Sequence, residues 1–265
     1  MQKVKTVYFS EHLRQRYYPV FSCLKMILSK HGFKIKTLKQ TKDIWIRDFM
    51  PIVFDDMAVQ YQYKPDYLID ENVNHAYLTN PELPIKEVSI KTYRTEIILD
   101  GGNIVKCNGT VIMTDKVFTE NIDLTQKAFK SKFPDIKKLV VIPRDPDKEE
   151  VYGHADGMVR FISNNHLLVN SQYPDDFKNT LHKCLGDAGF KITELNVRED
   201  TNYAWGYINF LHLDRLIIQP SIDKVNDVYV KEQLERLYPD CAVELCDAKA
   251  LVTEGGVFNC VSWEL

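Results

Sequence analysis

Five short motifs recur along this chain at intervals of 51 to 55 residues, and each carries one polar side chain at the equivalent place. They are Asp48 in Trp45-Ile46-Arg47-Asp48, Asp100 in Asp100-Gly101-Gly102-Asn103 and His154 in Gly153-His154-Ala155-Asp156. Asn209 in Tyr207-Ile208-Asn209-Phe210 and Cys260 in Gly256-Val257-Phe258-Asn259-Cys260 complete the series. A period of roughly 20–50 residues, or slightly beyond, marks an array of similar units. The chain is then confined to folds in which one supersecondary unit is repeated five times, each unit delivering one reactive or hydrogen-bonding group.

The segment after each motif supports the repeat. After Asp48, residues 51–61 are apolar around Asp55-Asp56. After Asp100, residues 104–113 are apolar around Asn108-Gly109, the strongest short hairpin signal. After His154 the turn is at Asn164-Asn165, and after Asn209 it is near Asp214-Arg215. Four motifs thus each open a β-hairpin. The fifth hairpin is cut short, because only Val261-Ser262-Trp263-Glu264-Leu265 comes after Cys260.

Between hairpins lie stretches of helical periodicity at residues 122–133, 175–189 and 225–238, then short apolar segments at 138–142, 191–197 and 241–245. The unit reads as ββαβ. The N-terminal part supplies what the fifth unit lacks: a strand at 5–9, a helical stretch to Gly32 interrupted by Pro19, and a strand at 33–38. Pairing of the first strand with residues 257–263 would close the ring and leave no exposed edge. Residues 64–84 carry no clear helix and are expected to form a loop over the site.

Composition narrows the classes. At 265 residues the chain is long enough for one domain spanning 1–265 with a substantial core. A net charge of −3 with 27% charged residues gives no basic surface for nucleic acid, and no apolar run approaches the roughly 18 residues that suggest a membrane span. Met1-Gln2-Lys3-Val4-Lys5 lacks an apolar leader, so the expectation is a cytoplasmic protein whose six cysteines are not a disulfide scaffold. Cys107 and Cys184 fall in periodic segments and read as small buried hydrophobes.

Each motif residue has a structural alternative. His154 and Asp156 stand at i and i+2, so on an extended strand both would face one side. A zinc site is conceivable from His, Asp and Cys, but there is no CxxC and no HExxH, so no metal is assigned. Asp48 alone could be an ion-pair member and Asp100 a turn residue. Arg47 is expected to be a structural ion-pair partner. Gly255-Gly256 permits close approach before Cys260, and on a strand Phe258, Cys260 and Ser262 would share a face.

The motifs WIRDFMP, DGGN, GHADGMVRF, YINF with LIIQP, and GGVFNC, in this order over about residues 40–265, resemble the guanidino-group-modifying enzymes. The nearest branch is agmatine deiminase and bacterial-type peptidylarginine deiminase. The resemblance implies a five-bladed α/β propeller (pentein) of ββαβ units around a pseudo-fivefold axis. It implies Cys260 as nucleophile, His154 as general acid/base, and Asp48 and Asp156 gripping the guanidinium nitrogens. Asp100, Asn209 and Trp45 would line the substrate side. This chain has Met50 where the agmatine branch has Gly, and Asn259 where that branch tends to carry His.

The implied reaction is hydrolytic deimination of a guanidino compound through a covalent thiouronium, without cofactor. A guanidinium is a delocalised cation and a poor electrophile, so two carboxylates must hold and orient it while a thiolate attacks. Amidine transfer, peptidylarginine deimination and non-catalytic binding of cations are the alternatives. The partner expected is a small guanidino molecule, and the sequence assigns no oligomeric state. Asp66, Asp70, Glu71 and the tyrosines at 61, 63, 67 and 77 offer contacts for a second positive group, which favours an agmatine-like substrate.

Overall fold

A computed structural model describes residues 5–54, 57–69, 75–133, 135–147 and 152–265. Fifteen strands in these residues form five three-stranded sheets. The strands are β1 (Thr6–Ser10), β2 (Lys34–Leu38), β3 (Ile52–Val53), β4 (Ala58–Gln62), β5 (Thr92–Ile98), β6 (Val105–Cys107), β7 (Thr110–Thr114) and β8 (Lys138–Ile142). They continue as β9 (Val159–Ser163), β10 (His166–Asn170), β11 (Lys191–Leu195), β12 (Leu211–Leu213), β13 (Leu216–Ser221), β14 (Ala242–Asp247) and β15 (Trp263–Glu264). Each sheet is an antiparallel pair, one strand of which pairs in parallel with a third, as in β9-β10-β11. The five sheets make the five-bladed α/β propeller expected from the repeat.

Local chemistry explains the hairpins. Asn108 and Gly109 both take positive φ, at 45° and 80°, as the two-residue turn between β6 and β7 requires. Asp214 at φ 46° turns β12 into β13. Asn164 and Asn165 lie between β9 and β10 as expected, and the Asp55-Asp56 turn lies outside the described residues.

The crossover helices of the third and fourth blades are Asp175–Asp187 and Lys224–Leu237, close to the predicted spans. Gly189, at φ 84°, ends the first of these, and Phe190 N–H then donates back to Leu185 O at 3.1 Å. In the second blade the helix is shorter than predicted. It runs Gln126–Lys132, because Thr125 caps it by accepting from Ala128 N–H, and Ile122 is left 90% exposed ahead of it. Pro19 falls in the first turn of helix Tyr18–Lys30, where its missing N–H costs no bond. That helix buries Phe21, Leu24, Ile27 and Leu28 in the largest core cluster, each worth about 1.5–3 kcal/mol relative to exposure.

Two expectations are corrected. Residues 64–84 contain helix Asp66–Ile69 and a short turn His75–Tyr77, and helix Glu82–Val88 begins before the segment ends. Residues 258–261 are turn and residue 257 is irregular rather than strand, so only β15 pairs with β1, as Val7 with Glu264 and Tyr8 with Trp263. The ring still closes there: Thr6 N–H donates to Leu265 O at 2.7 Å, Leu265 N–H to Thr6 O at 2.9 Å, and Trp263 Nε1 to Pro51 O at 2.8 Å. No helix among the described residues is long and apolar enough to cross a membrane.

Candidate active site

Each of the five recurring residues sits in or beside a short turn that precedes a strand of its blade. Asp48 lies in helix Ile46–Phe49, and Asp100 and His154 cap the 3-10 turns Gly101–Asn103 and Ala155–Gly157. Asn209 ends helix Ala204–Ile208, and Cys260 lies in the turn before β15. His154 and Asp156 therefore do not share a strand face: a helical turn separates them. Ser262 is likewise no neighbour of the thiol on a strand, since its hydroxyl donates to Phe258 O at 2.7 Å and closes its own turn.

The turns are locked to each other. Asn103 Oδ1 accepts from Thr114 N–H at 2.8 Å and Ala155 N–H at 3.3 Å, joining the second blade to the third. Gly102 N–H donates to Asp48 Oδ1 at 2.9 Å. A Cβ on Gly102 would lie 2.7 Å from both Asp48 Oδ1 and His154 Nδ1, so only glycine fits between them. Gly256 likewise gives Trp45 its place, because a Cβ there would strike the indole ring. Tyr207 donates to Asp227 Oδ1 at 2.8 Å, and Ser221 to Asp227 Oδ2 at 2.6 Å, fixing the helix that ends at Asn209.

Around the sulfur, Asn209 Oδ1 accepts from Cys260 Sγ–H at 3.2 Å, and Asp156 Oδ2 lies 3.7 Å from Sγ. Asn259 Nδ2 donates to Asp156 Oδ2 at 2.6 Å. At the position where the agmatine branch tends to carry His, this chain thus offers Asp156 an amide donor, which does not titrate. Arg47 is structural, as expected: its Nη2 pairs with Glu264 at 2.7 Å and its Nε donates to Asn259 O at 3.2 Å.

His154 Nε2 lies 3.2 Å from Asp100 Oδ2, and its Nδ1 is 3.7 Å from Asp48 Oδ1. Tyr67 donates to Asp48 Oδ2 at 3.2 Å. Burial would depress the imidazolium, but Asp48 and the hydrogen-bonded Asp100 outweigh it and hold its pKa up at about 9. Burial lifts the Asp48 carboxyl to about 6 against the opposing pull of His154, with Asp100 and Asp156 adding repulsion. Asp100 is also buried, yet its bond to His154 and the Lys116 ammonium leave it below the usual carboxylate value. Burial holds the Cys260 thiol well above its ordinary value, and Asp156 and Asp48 push the same way. At neutral pH the site therefore combines a protonated thiol with a protonated imidazole.

Trp45, Asp48, His154, Asp156, Asn209 and Cys260 all line one open cavity of about 1270 Å³. Asp100 does not. Its Oδ2 meets His154 Nε2 from outside that lining, and Asn209 turns its Oδ1 to the thiol. Of the four tyrosines singled out in sequence, only Tyr67 lines the cavity. Tyr61 is buried and donates to Met50 O at 3.1 Å, the Tyr63 hydroxyl lies 3.5 Å from that of Tyr67, and Tyr77 stands 40% exposed. Asp70 and Glu71 lie outside the described residues.

Sequence reasoning named Asn259 and Asn103 without giving them a role, and missed Lys116. Asn103 could have been found from its place directly after Gly-Gly. Asp66, Asp100 and Glu120 are close enough together to hold a cation. That role is already taken by the ammonium of Lys116, which bonds Asp66 Oδ1 and Asp100 Oδ2 at 2.8 Å each.

Five blades that bring a Cys, a His and paired acids to one cavity define a guanidino-group-modifying enzyme of the pentein fold. Residues 22–265 match the family model described as Porphyromonas-type peptidyl-arginine deiminase, and the chain belongs to that family. It is 24% identical over 277 residues to agmatine deiminase of Pseudomonas syringae pv. syringae (strain B728a), covering 84% of this chain and 74% of that enzyme. The agmatine deiminase of Pseudomonas putida KT2440 is 25% identical, with 83% and 73% covered.

Among solved structures, C. jejuni agmatine deiminase superposes with a TM-score of 0.72 at 18% identity, covering 99% of this chain and 93% of that one. The Enterococcus faecalis agmatine deiminase does so with a TM-score of 0.74 at 18% identity, covering 98% and 92%. At such identities these structures establish the shared fold.

Proposed function

We propose that this protein is a hydrolytic deiminase that converts a guanidino compound to a ureido product and ammonia through a covalent intermediate on Cys260. The observation that carries the reading is the meeting of Cys260, His154, Asp48 and Asp156 on one cavity wall. The guanidinium would lie between Asp48 and Asp156, its carbon facing the sulfur. Its positive charge offsets the two acids that keep the thiol protonated, so binding itself promotes loss of the thiol proton to solvent. Thiolate attack gives a tetrahedral adduct, and the His154 imidazolium protonates the departing ammonia. Neutral His154 then takes a proton from water, the hydroxide adds to the thiouronium carbon, and collapse returns the thiolate and a urea group.

The substrate that best fits is a small guanidine with a cationic tail, as in agmatine. Among the described residues lining the cavity there is no Lys or Arg to hold a carboxylate, whereas Asp48, Asp145, Asp147, Asp156, Asp200 and Glu254 all contribute to it. Trp45, Tyr67, Tyr152 and Trp205 add aromatic faces that suit a cation. An ammonia-release screen over agmatine, arginine, arginyl peptides and simple guanidines tests both levels. Release from agmatine without any added amine is expected. Dependence on an added amine would indicate amidine transfer, and a preference for arginyl peptides would overturn the substrate while leaving the chemistry.

A further inference from the structure

Lys116 is a lysine in an unusual place. Its side chain is only 2% exposed, although lysine is among the residues least often buried. It occupies the first turn of helix Lys116–Glu120, where the helix dipole disfavours a cation. All three ammonium protons are used: Nζ donates to Asp100 Oδ2 at 2.8 Å, Asp66 Oδ1 at 2.8 Å and Tyr152 O at 2.9 Å. The backbone is shaped around the stem, since a Cβ on Gly153, at φ 64°, would come within 3.3 Å of Lys116 Cδ.

Each bond leads to the site. Asp100 Oδ1 is buried with no hydrogen-bond partner, so among the described residues its carboxylate is held through Oδ2, which Lys116 and His154 share. Asp66 opens helix Asp66–Ile69, and the next residue, Tyr67, donates to Asp48 Oδ2. The ammonium also stands 5.4 Å from the centre of the Tyr67 ring. Glu120 lies 3.7 Å away, beyond hydrogen-bond reach.

We propose that Lys116 is a positioning residue that fixes two parts of the site at once: the Asp100 carboxylate that orients His154, and the Asp66–Tyr67 segment that holds Asp48. The assignment to catalysis rests on the proposed deiminase activity. With Asp100 kept ionised and acceptor-only, His154 must present its Nε2–H to it, which leaves Nδ1 to exchange the proton in the reaction. A local preference is broken at Lys116, and the gain is a fixed tautomer together with an anchored Tyr67.

The test cuts the two arms separately. Lys116→Met removes both, Asp66→Asn takes the charge from only the outward one, and Lys116→Arg keeps the charge. His154 is monitored by 15N NMR, independently of turnover, alongside kcat and KM. The groups facing His154 are Asp48, Asp100, Lys116, Glu120, Tyr67 and Tyr152. Removing the only cation among them should move the His154 titration to higher pH in Lys116→Met. The same variant should lower kcat about tenfold to a hundredfold, the scale of a small misplacement of catalytic groups. Asp66→Asn should raise KM more than it lowers kcat, and Lys116→Arg should recover part of the loss. An unmoved His154 titration in Lys116→Met, or variants that change thermal stability alone, overturns the proposal. If Lys116→Met does not fold, Asp66→Asn and Lys116→Arg decide, and wild-type kinetics in both would overturn it. A wild type that deiminates no guanidine would refute the deiminase reading, while the NMR titration still decides whether Lys116 positions His154.

Discussion

The Oδ1 of Asn209 stands 3.2 Å from the sulfur of Cys260, two residues 51 positions apart that are brought together by adjacent blades. The contact gives the thiol a neutral acceptor, and burial together with Asp156 and Asp48 favours the proton on sulfur. In the proposed reaction, reactivity at Cys260 would therefore be tied to occupancy of the acids beside it.

Replacement of the two reacting groups is the most direct check. Cys260→Ala should abolish ammonia release while the fold persists, and His154→Ala should be comparably severe. The double variant should be no worse than either single one, because the residues act as a unit. Mass spectrometry of rapidly quenched wild type should find the adduct on Cys260 only. An adduct on Cys246 would falsify the assignment.

Asp48→Asn and Asp156→Asn should each weaken binding of a cationic guanidine, measured by calorimetry on the Cys260→Ala background. A buried cation short of one partner loses about 3–5 kcal/mol, which is on the order of hundreds to thousands of fold in affinity. A neutral urea analogue should be far less affected. Unchanged guanidine binding in both variants would make these acids structural.

The pH profile of kcat, read with substrate bound and the thiol already ionised, should be bell-shaped. On the acid side Asp48 must be ionised to hold the guanidinium, so activity falls as pH drops through about 6. On the alkaline side His154 must carry the proton it gives to ammonia, so activity falls as pH rises through about 9. Because the two groups interact, the limbs belong to the pair. His154→Ala should remove the alkaline limb from any residual activity; its persistence would assign that limb elsewhere.

Trp263→Ala should damage both stability and turnover, although Trp263 does not line the cavity. Its ring is 2% exposed, lies 5.4 Å from Tyr8, and donates to Pro51 O. Losing a buried aromatic side chain costs about 3–5 kcal/mol, measurable by denaturant titration. Full activity in a stable variant would show that the seam does not support Cys260.

Much of the blade plan was legible because it is written locally. Asn108-Gly109, Asn164-Asn165 and Asp214-Arg215 announce their turns through backbone preference, and the helices at 175–187 and 224–237 through periodicity. The short turns that aim the proposed catalytic groups were not legible. Residues 155–157 and 257–261 read as strand, and only contacts with neighbouring blades, such as Asn103 with Ala155, bend them otherwise. Lys116 escaped notice for the same reason. A lone lysine beginning a short helix reads as solvent-facing until three acceptors from other segments close on it.

The seam between β1 and β15 has a kinetic meaning. Its ladder is short, with Val7 against Glu264, Tyr8 against Trp263, and Thr6 hydrogen-bonded to Leu265. The turn bearing Cys260 ends close to where that short strand begins, so a brief parting of the seam would displace the proposed nucleophile while the other four sheets remain intact. On gradual heating, loss of turnover should therefore run ahead of loss of secondary structure, with the Cys260 thiol becoming open to alkylating reagents in the interval.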